Sequence, residues 1–209
     1  MFDFQPEALL QLKKGRSIEL QSGITVRLIR ASDLTDIIAM LADEEVNRYL
    51  FFAPASDQFY QQFFNPIIEN TQQAVASDKW PEHPTVVIRN PEGRYMGMAG
   101  ITRVMFLNGN FEVGYQLPVH AWGQGIATRT CQLMTQICFE QLLAHKVSAD
   151  CYGRNTGSYK TLKKCGFVRE GCQQDYYQLL AGADEQSCFD DKLYYGMTAK
   201  HYQSMNRLK

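Results

Sequence analysis

Two glycines separated by one residue stand where the chain passes from a loop into a helix-like segment. The stretch is HAWGQGIATRT, residues 120–130, and its glycines are Gly123 and Gly125. The start of a helix presents backbone N–H groups that have no acceptor within the helix, and the helix dipole makes this end positive. Glycine allows a tight turn and a close approach of a ligand to the backbone. The stretch therefore predicts a phosphate site, with a glycine-rich turn that binds nothing as the alternative.

Two common phosphate-binding motifs fit this loop poorly. A Walker loop requires Gly-Lys followed by Ser or Thr, which is absent here. A dinucleotide-binding fingerprint requires a third glycine where Thr128 stands, and the loop follows an antiparallel meander in mid-chain. A second motif, NTGSYKTLKKCGF, places Asn155 one predicted strand after the helix of the loop, with Ser158 three residues further on. The two motifs together are more informative than the glycines alone.

Strands and helices must position these motifs, and both periodicities are present in the sequence. In chain order we predict a strand at 24–30, helices at 34–42 and 43–51, one or two helices within 56–82 broken near Pro66, strands at 84–90, 95–104 and 110–117, a helix at 126–145, a strand at 146–152, a helix at 155–165 ended by Gly166, strands at 166–171 and 189–198, and a final helical turn. Ser32 or Asp33 is expected to cap the helix at 34–42. This mixture indicates an α/β (α+β) domain built around one sheet.

The composition is typical of one globular domain. The chain has 209 residues, of which 45% are hydrophobic and 21% charged, and its net charge is −1. The sequence has no basic patch of the kind that indicates a nucleic-acid partner. No apolar run approaches the roughly 20 residues of a membrane span, and the first residues do not resemble a signal peptide. We expect a cytoplasmic monomer or homodimer without a membrane partner, with residues 1–22 as an N-terminal extension and 23–209 as the domain.

Cysteine and histidine spacing predicts no metal site. There is no CxxC pair, and the histidines do not stand at zinc-ligand spacing beside the cysteines. Because the chain is large enough to have its own core, free and mostly buried thiols are favoured over a disulfide framework. The cysteines are Cys131, Cys138, Cys151, Cys165, Cys172 and Cys188. We assign His83, His120, His145 and His201 to surface or loop roles.

The order and spacing of four segments carry a family resemblance. They are FEVGYQL, WGQGIAT, CYGRNTGSYKTLKKCGFVREG and DDKLYYGMT, which lie within residues 24–200. With them the chain resembles the GNAT acetyltransferases, in particular the branch that contains the RimJ/RimL ribosomal-protein N-terminal acetyltransferases. The resemblance implies a GNAT fold, with a mixed, mostly antiparallel sheet of about seven strands, helices on both faces, and two strands that splay apart at an acetyl-coenzyme A cleft.

The resemblance also implies which residues bind acetyl-coenzyme A. The pantetheine arm is expected along the free edge of the strand that ends at Gln116 and Leu117, with a hydrogen bond from Asn155. Ser158 is expected near the sulfur. The pyrophosphate is expected on the backbone of Gly123, Gln124, Gly125, Ile126, Ala127 and Thr128.

Acetyl transfer to an amine requires a base for the amine proton and a proton donor for the leaving thiolate. Glu112 alternates with Phe111 and Val113 and so faces away from them; it is the candidate base, with a surface or structural carboxylate as the alternative. Ser158 is the candidate acid, with a packing role as the alternative, and Tyr159 is a weaker candidate. Leu162 stands where many family members have a tyrosine acid, so it cannot serve.

The acceptor amine is less well defined by the sequence. The ordinary pKa is about 8 for an α-amine and about 10.4 for lysine, so deprotonation costs lysine roughly 3 kcal/mol more at neutral pH. We therefore expect the N-terminal α-amine of a protein. A small amine (polyamine, amino acid or antibiotic) and a non-catalytic acetyl-coenzyme A-binding module are the alternatives.

The acceptor cleft is expected between the helices of residues 33–76 and the segment 176–191. Its walls are predicted to include part of an aromatic set that otherwise belongs to the core. Cys151 is interpreted as a buried packing residue, with a reactive thiol as the alternative. The aromatic residues are Phe51, Phe52, Phe59, Tyr60, Phe63 and Phe64.

Overall fold

The computed structural model describes residues 3–179 and 189–207. Short 3-10 turns precede α2 and α5, and a π-helical turn at Ile137–Gln141 follows α5. The helices and strands are α1 (Pro6–Lys13), β1 (Ile18–Gln21), β2 (Ile24–Leu28), α2 (Leu34–Ala42), α3 (Glu44–Asn47), α4 (Asp57–Ala76), β3 (Thr85–Arg89), β4 (Tyr95–Arg103), β5 (Asn110–Gln116), α5 (Ile126–Gln136), β6 (Lys146–Tyr152), α6 (Thr156–Lys164), β7 (Val168–Gln178), β8 (Phe189–Thr198) and α7 (Ala199–Arg207).

All eight described strands belong to one sheet, in the order β1-β2-β3-β4-β5-β6-β8-β7. Neighbouring strands are antiparallel except β5 and β6, which are parallel. The predicted mixed, mostly antiparallel sheet is therefore confirmed. Residues 1–22 were expected to contain a short helix or strand, and they contain both α1 and β1. The predicted hairpin forms β3 and β4, and the last two predicted strands are β7 and β8, of which β7 is longer than expected.

The parallel pair β5 and β6 separates after a short contact. Their register contains only Asn110 with Lys146, Phe111 with Val147, and Glu112 with Ser148. From Val113 onward, no strand in the described part of the chain pairs with the edge of β5 that faces β6, and β6 continues beside β8. Splayed strands were expected, and the splay begins one residue beyond Glu112.

Helices cover both faces of the sheet. On one face, which we call the α5 face, Phe111 and Val113 join the core with residues of α1, α5 and α6. On the opposite α4 face, Met98 packs with residues of α2 and α4. Because side chains alternate along a strand, Glu112 and Gly114 point to the α4 face. The splay thus presents Glu112 beneath the helical layer of α2, α3 and α4.

Helix α4 is one unbroken helix, so the predicted break near Pro66 is wrong. Pro66 lies in the interior of α4 and lacks the N–H that would bond to the preceding turn. Tyr60, Phe64 and Ile68 are all buried against the sheet on one side of the helix. This packing holds the helix together across the missing hydrogen bond.

The N-terminal segment is continuous with the sheet and its core. Strand β1 pairs with β2, and Leu9 and Leu12 of α1 are fully buried. The amide of Phe4 donates to the side chain of Gln136, whose Nε2 donates back to the Phe4 carbonyl. Residues 3–21 therefore stabilise the α5 side of the fold, and the boundary at residue 22 stays a prediction.

Two further helix ends differ from the sequence expectation. Regular α-helix stops at Gln136 and continues as the π-helical turn, whereas a helix to residue 145 was predicted. Helix α6 ends before Gly166, whose φ of 87° is the left-handed conformation predicted for that position. Among residues 3–179 and 189–207, no helix has both the length and the apolar character needed to cross a membrane.

Candidate active site

The glycine loop adopts a backbone conformation that only glycine accommodates easily. Gly123 and Gly125 have φ values of 74° and 78°, in the left-handed region. A Cβ atom at Gly123 would meet nothing within 4 Å, and one at Gly125 would meet only the side chain of Gln21 at 4.0 Å. The backbone angles, rather than crowding, explain both glycines, and the space beside them is open.

The N-terminus of α5 offers free backbone donors to that space. Gly125 is the N-cap residue, and none of the described side chains caps the helix. The first helical hydrogen bond runs from the Arg129 amide to the Gly125 carbonyl at 3.0 Å. The amides of Ile126, Ala127 and Thr128 therefore have no acceptor within the helix, which makes this a site suited to an anion.

These donors face a cavity of about 520 Å³, which we call the loop cavity. Its wall includes the loop, the end of β5 and the start of α6. Three cations also line it, namely Arg48, Arg154 and Lys164. The sequence analysis missed all three, because they come from separate elements and only the pair Lys163-Lys164 forms a local basic signal. Together with the free amides they suit a ligand with several phosphates.

Internal contacts hold the loop in place. The Nε2 of Gln21 donates to the carbonyl of Gln124 at 2.9 Å, and the Nε2 of Gln124 donates to the carbonyl of His120 at 2.8 Å. The side chain of Gln124 is thus used within the loop, so its predicted cofactor contact would involve its backbone. The N-terminal segment supports the loop through Gln21.

The end of β5 connects the loop to the sheet. The indole Nε1 of Trp122 donates to the Leu117 carbonyl at 2.8 Å, so that carbonyl already accepts one hydrogen bond. Gly97 on β4 has a φ of 136°, and a Cβ there would lie 2.6 Å from the Gln116 carbonyl. Glycine at position 97 therefore permits the close approach that shapes the end of the splayed strand. Gln116 and Leu117, the predicted pantetheine contacts, both line the loop cavity.

A second cavity of about 450 Å³, the strand cavity, lies over the α4 face where β5 and β6 separate. Residues of β4, β5 and β6 form its floor, and residues of α2, α4 and the segment between α3 and α4 cover it. Of the predicted aromatic set, Phe51, Phe52, Phe63 and Phe64 line this cavity. The residues common to both cavities are Tyr49, Leu50, Tyr115, Gln116, Asn155 and Ser158.

Glu112 lines the strand cavity without a fixed partner. Among the described residues, none forms an ion pair or hydrogen bond with its carboxylate, which remains accessible to solvent through the cavity. The surrounding walls remove part of its hydration and raise its pKa, and the negative charge of Asp150 raises it further. The positive charge of Lys192 offsets part of the effect. A carboxylate with a raised pKa in a cavity is a suitable proton acceptor.

Asp150 is a second carboxylate of the strand cavity, and sequence reasoning missed it. Lys192 forms an ion pair with it at 2.9 Å, and the Tyr177 hydroxyl donates to it at 2.8 Å. Loss of solvation alone would lower the pKa of Lys192, but the contact with Asp150 outweighs it and the pKa is raised. Asp150 is thus neutralised by partners from β7 and β8, which no sequence spacing links to β6.

Ser158 lies at the junction of the cavities in the first turn of α6. Its amide donates to the Oδ1 of Asn155 at 3.0 Å, so the side-chain oxygen of Asn155 caps the helix. The side-chain N–H₂ of Asn155 remains available to a ligand. The sequence predicted both residues for the cofactor site, and the structure brings them together with Gln116.

Tyr115 is a third group at this junction that sequence reasoning did not select. Its hydroxyl lies 3.1 Å from the Ser158 carbonyl and 3.4 Å from the Ser158 Oγ. Burial raises the pKa of Tyr115 well above its ordinary value, so the phenol keeps its proton. Tyr159, the weaker candidate acid, does not line either cavity. Tyr115 and Ser158 therefore form a pair of hydroxyls where the two cavities meet.

The described cysteines are free, and four of the five are buried, as predicted. Burial raises the pKa of the Cys151 thiol to about 11, although a hydrogen bond with Ser158 offsets part of the effect. Cys151 is therefore a thiol at neutral pH, which favours the packing interpretation. Cys172 is exposed, and Cys188 lies outside the described residues.

His83 lies in the loop between α4 and β3, which agrees with the loop role predicted for it. It lines the strand cavity, and its Nδ1 is buried without a hydrogen-bond partner. Its position just before β3 places it beside the floor strands, which no local motif indicates. Tyr177 lies behind the cavity wall, with its ring stacked on Tyr152 at a centroid distance of 3.8 Å.

Comparisons with known proteins agree with this geometry. The model of the acetyltransferase (GNAT) domain matches residues 24–168. The N-acetyltransferase p20 of Bacillus licheniformis is 24% identical over 153 residues, which cover 73% of this chain and 83% of that protein.

Two solved structures share the fold. The spermidine N-acetyltransferase of Vibrio cholerae, in complex with CoA and spermine, has a TM-score of 0.72 at 17% identity, covering 88% of this chain and 99% of that one. The ribosomal-protein-S5-alanine acetyltransferase of Vibrio fischeri has a TM-score of 0.69 at 20% identity, covering 88% and 96%. The GNAT domain model matches more than half of the residues of the present chain. The chain therefore belongs to the GNAT acetyltransferase family and is an acetyl-coenzyme A-dependent N-acetyltransferase.

Proposed function

We propose that the enzyme acetylates the N-terminal α-amine of a protein or peptide, as a member of the RimJ/RimL branch. The observation that carries the proposal is the carboxylate of Glu112, which has no partner among the described residues and lies in a cavity that joins the loop cavity at Ser158 and Tyr115. The acceptor amine enters the strand cavity, and acetyl-coenzyme A occupies the loop cavity.

Glu112 takes the proton of the acceptor amine, directly or through water. Its pKa is raised by burial and by Asp150, which makes it a stronger base than a carboxylate with an ordinary pKa. An α-amine is partly deprotonated at neutral pH, whereas lysine requires roughly 3 kcal/mol more to lose its proton. A site with one carboxylate base therefore suits the α-amine better.

The charge balance of the strand cavity argues against a polyamine acceptor. A polyamine carries further cations that need carboxylate partners. Asp150 already pairs with Lys192, and a second ammonium group placed there would meet the positive charge of Lys192. Among the described lining residues, only Glu112 offers an uncompensated negative charge.

On the cofactor side, the phosphates bind the backbone of Gly123–Thr128, and the pantetheine arm pairs with the free edge of β5 at Gln116 and Leu117. Asn155 donates to that arm through its side-chain nitrogen. Ser158 passes its hydroxyl proton to the leaving thiolate and takes up a proton from solvent in the cavity, and Tyr115 hydrogen-bonds to Ser158. The free amides of α5, the absent strand partner of β5 and the 3.4 Å contact of the two hydroxyls support these roles.

Thiol release with a panel of acceptors tests the proposal. The panel contains a peptide with a free N-terminus, the same peptide with its N-terminus blocked and one internal lysine, and spermidine. We expect release only with the free N-terminus, and mass spectrometry of the fragmented product should locate the acetyl group on the first residue. Faster turnover of spermidine than of the peptide with a free N-terminus would show that the acceptor is a polyamine and would overturn the proposal. Tight acetyl-coenzyme A binding without release for any amine would indicate a non-catalytic module.

A further inference from the structure

Two glycines face each other in the floor of the strand cavity. Gly100 on β4 and Gly114 on β5 are partners in the antiparallel register, and both belong to the α4 face. Neither has a positive φ, so the backbone at these positions accepts any residue. A Cβ at Gly100 would come no closer than 3.6 Å to Thr85, and one at Gly114 no closer than 3.8 Å to Gln116. The pair therefore leaves a recess in the floor that side chains could otherwise fill.

The cavity around this recess is mainly apolar, although the atoms nearest to the two missing Cβ positions are polar, namely the Oγ1 of Thr85 and the Nε2 of Gln116. Met98 precedes Gly100 by two residues on the same face of β4, and Phe63 and Ile67 of α4 line the cavity above the floor. Phe63 is 54% exposed, and Phe51 at the same cavity is 75% exposed. Large apolar side chains that stay in contact with water next to a cavity are typical of a binding surface.

The recess lies beside the predicted base. Gly114 is two residues from Glu112 on the same face of β5, a separation of roughly 7 Å. Gly100 lies opposite Gly114 on the neighbouring strand, roughly 5 Å away. When an acceptor amine is at Glu112, the side chain on the adjoining carbon is within reach of the recess. The neighbouring charges do not compete, because Asp150 is paired with Lys192.

We propose that the recess formed by Gly100 and Gly114 binds the side chain of the acceptor's first residue and selects a large apolar one, such as Leu, Met or Phe, over Ser or Ala. The inference rests on the proposed function, since it assumes an α-amine acceptor. A large apolar side chain replaces water over Met98, Phe63 and Ile67. A serine side chain leaves the recess unfilled and contributes little apolar contact.

The test compares peptides that differ only in the first residue, which is Ser, Ala, Leu, Met or Phe. We expect kcat/KM for the Leu, Met and Phe peptides to exceed that for the Ser and Ala peptides at least ~10-fold, since single methylene differences in apolar pockets already give about 10-fold to 200-fold discrimination. Acetyl-coenzyme A affinity should be the same throughout.

Filling the recess should reverse the preference. Gly100→Val is expected to lower kcat/KM for the Leu and Phe peptides ~10-fold or more and to leave the Ser and Ala peptides within about 2-fold. Gly100→Ala is a smaller change that should act in the same direction. Gly171→Val is the matched strand control, because a Cβ at Gly171 meets nothing within 4 Å and Gly171 lines neither cavity.

A second pair of variants tests the cover. Phe63→Ala should reduce turnover of the apolar peptides, whereas Phe59→Ala, one turn earlier on α4 and outside the cavity, should not. Phe59 is 46% exposed, so both substitutions remove a partly exposed ring.

Circular dichroism confirms that the variants fold. The possible outcomes of these experiments then have different consequences for the two proposals. Acetylation of all peptides without preference, or a preference for Ser and Ala, would overturn this inference and leave the α-amine proposal standing. Equal losses on all peptides in folded Gly100→Val would overturn it as well. No acetylation of any free N-terminus by the wild-type enzyme would overturn the proposed function itself, and the inference with it.

Discussion

Asp33 and Glu112 are two carboxylates on the same side of the sheet, and their surroundings are opposite. Asp33 is fully buried and accepts from Arg27 at 2.6 and 2.7 Å, from Arg89 at 2.8 Å and from the Arg30 amide at 2.8 Å. Burial alone would raise its pKa, but the hydrogen bonds from Arg27 and Arg89 outweigh it and the pKa is lowered. Glu112 has no partner among the described residues, and its pKa is raised.

The difference separates a structural charge from a chemical one. A buried carboxylate whose oxygens are all occupied holds neighbouring elements together, here β2, β3 and the turn before α2. A carboxylate that stays unpaired beside a cavity gains nothing for the fold and is free to exchange a proton. Substitutions at the two positions should therefore affect different properties of the enzyme.

The largest effect is expected from Asp33→Asn, on stability. The variant leaves the guanidinium groups of Arg27 and Arg89 facing a neutral amide in a buried site, which costs about 3–5 kcal/mol of unfolding free energy. Because the folded-state pKa of Asp33 is lowered, its contribution is complete above the unfolded pKa near 3.9 and is lost as the pH falls through the folded pKa. Urea unfolding at pH 7 and at lower pH measures both.

Asp36→Asn is the control for this prediction. Asp36 contacts Arg89 at 2.8 Å but is 43% exposed, so its loss should cost no more than about 1 kcal/mol. Equal losses for the two variants would show that burial does not distinguish the two carboxylates.

The anion site can be tested by adding a carboxylate at the glycine loop, whereas the preceding variants remove one. Gly125→Asp puts a negative charge at the N-terminus of α5, where it suits the helix but repels the phosphates of coenzyme A. We expect coenzyme A affinity to fall by several kcal/mol, about 100-fold or more, by calorimetry. Gly125→Ala imposes the same backbone strain without the charge and should retain most of the affinity. Unchanged coenzyme A affinity in a folded Gly125→Asp variant would show that the phosphates do not bind at this loop.

The two cavities differ in how far the sequence could predict them. The loop cavity depends on backbone groups of consecutive residues, so the short stretch around Gly123 and Gly125 carries its signal. The strand cavity is assembled from residues of several elements. Glu112 could be identified from the sequence because side chains alternate between the two faces of a strand. The role of Asp150 could not, because its partner Lys192 comes close to it only through the pairing of β6 with β8.

Local patterns also mislead where tertiary packing decides. Asp33 was expected as a helix cap, but its carboxylate accepts from arginines and from the Arg30 amide, not from α2. Pro66 was expected to break a helix that burial of Tyr60 and Phe64 keeps intact. Strand β1 carries too short a pattern to be distinguished from a helix without its partner β2.

Glu112→Gln should affect activity and spare stability. We expect kcat/KM to fall roughly 100-fold or more, the low end for a positioned general base. Part of the loss should return at high pH, where the amine deprotonates without assistance. The free energy of unfolding should change by less than about 0.5 kcal/mol, because no partner is lost. A stable variant with normal kcat/KM would make Glu112 a surface carboxylate.

Ser158→Ala should produce a smaller loss, confined to kcat. Removing one hydrogen bond to the leaving thiolate costs about 1.4 kcal/mol, or about 10-fold. An acetyl donor whose thiol has a lower pKa should recover much of the rate, since its thiolate leaves with less assistance. Tyr159→Phe is the matched control and should behave as wild type. Equal slowing with both donors would leave Ser158 a packing neighbour of the cofactor.

The smallest effect is a displacement of the acid limb of the pH profile. Glu112 must be deprotonated to accept a proton, so the limb of kcat/KM follows its pKa in the free enzyme. Asp150 raises that pKa and Lys192 lowers it. Asp150→Asn should therefore move the limb to lower pH and Lys192→Met to higher pH, each on the order of 0.5 pH unit. Lys146→Met, which removes the ion pair with Glu170 outside both cavities, should leave it in place. Movement of the limb in one direction for both cavity variants would mean that their charges do not act on Glu112.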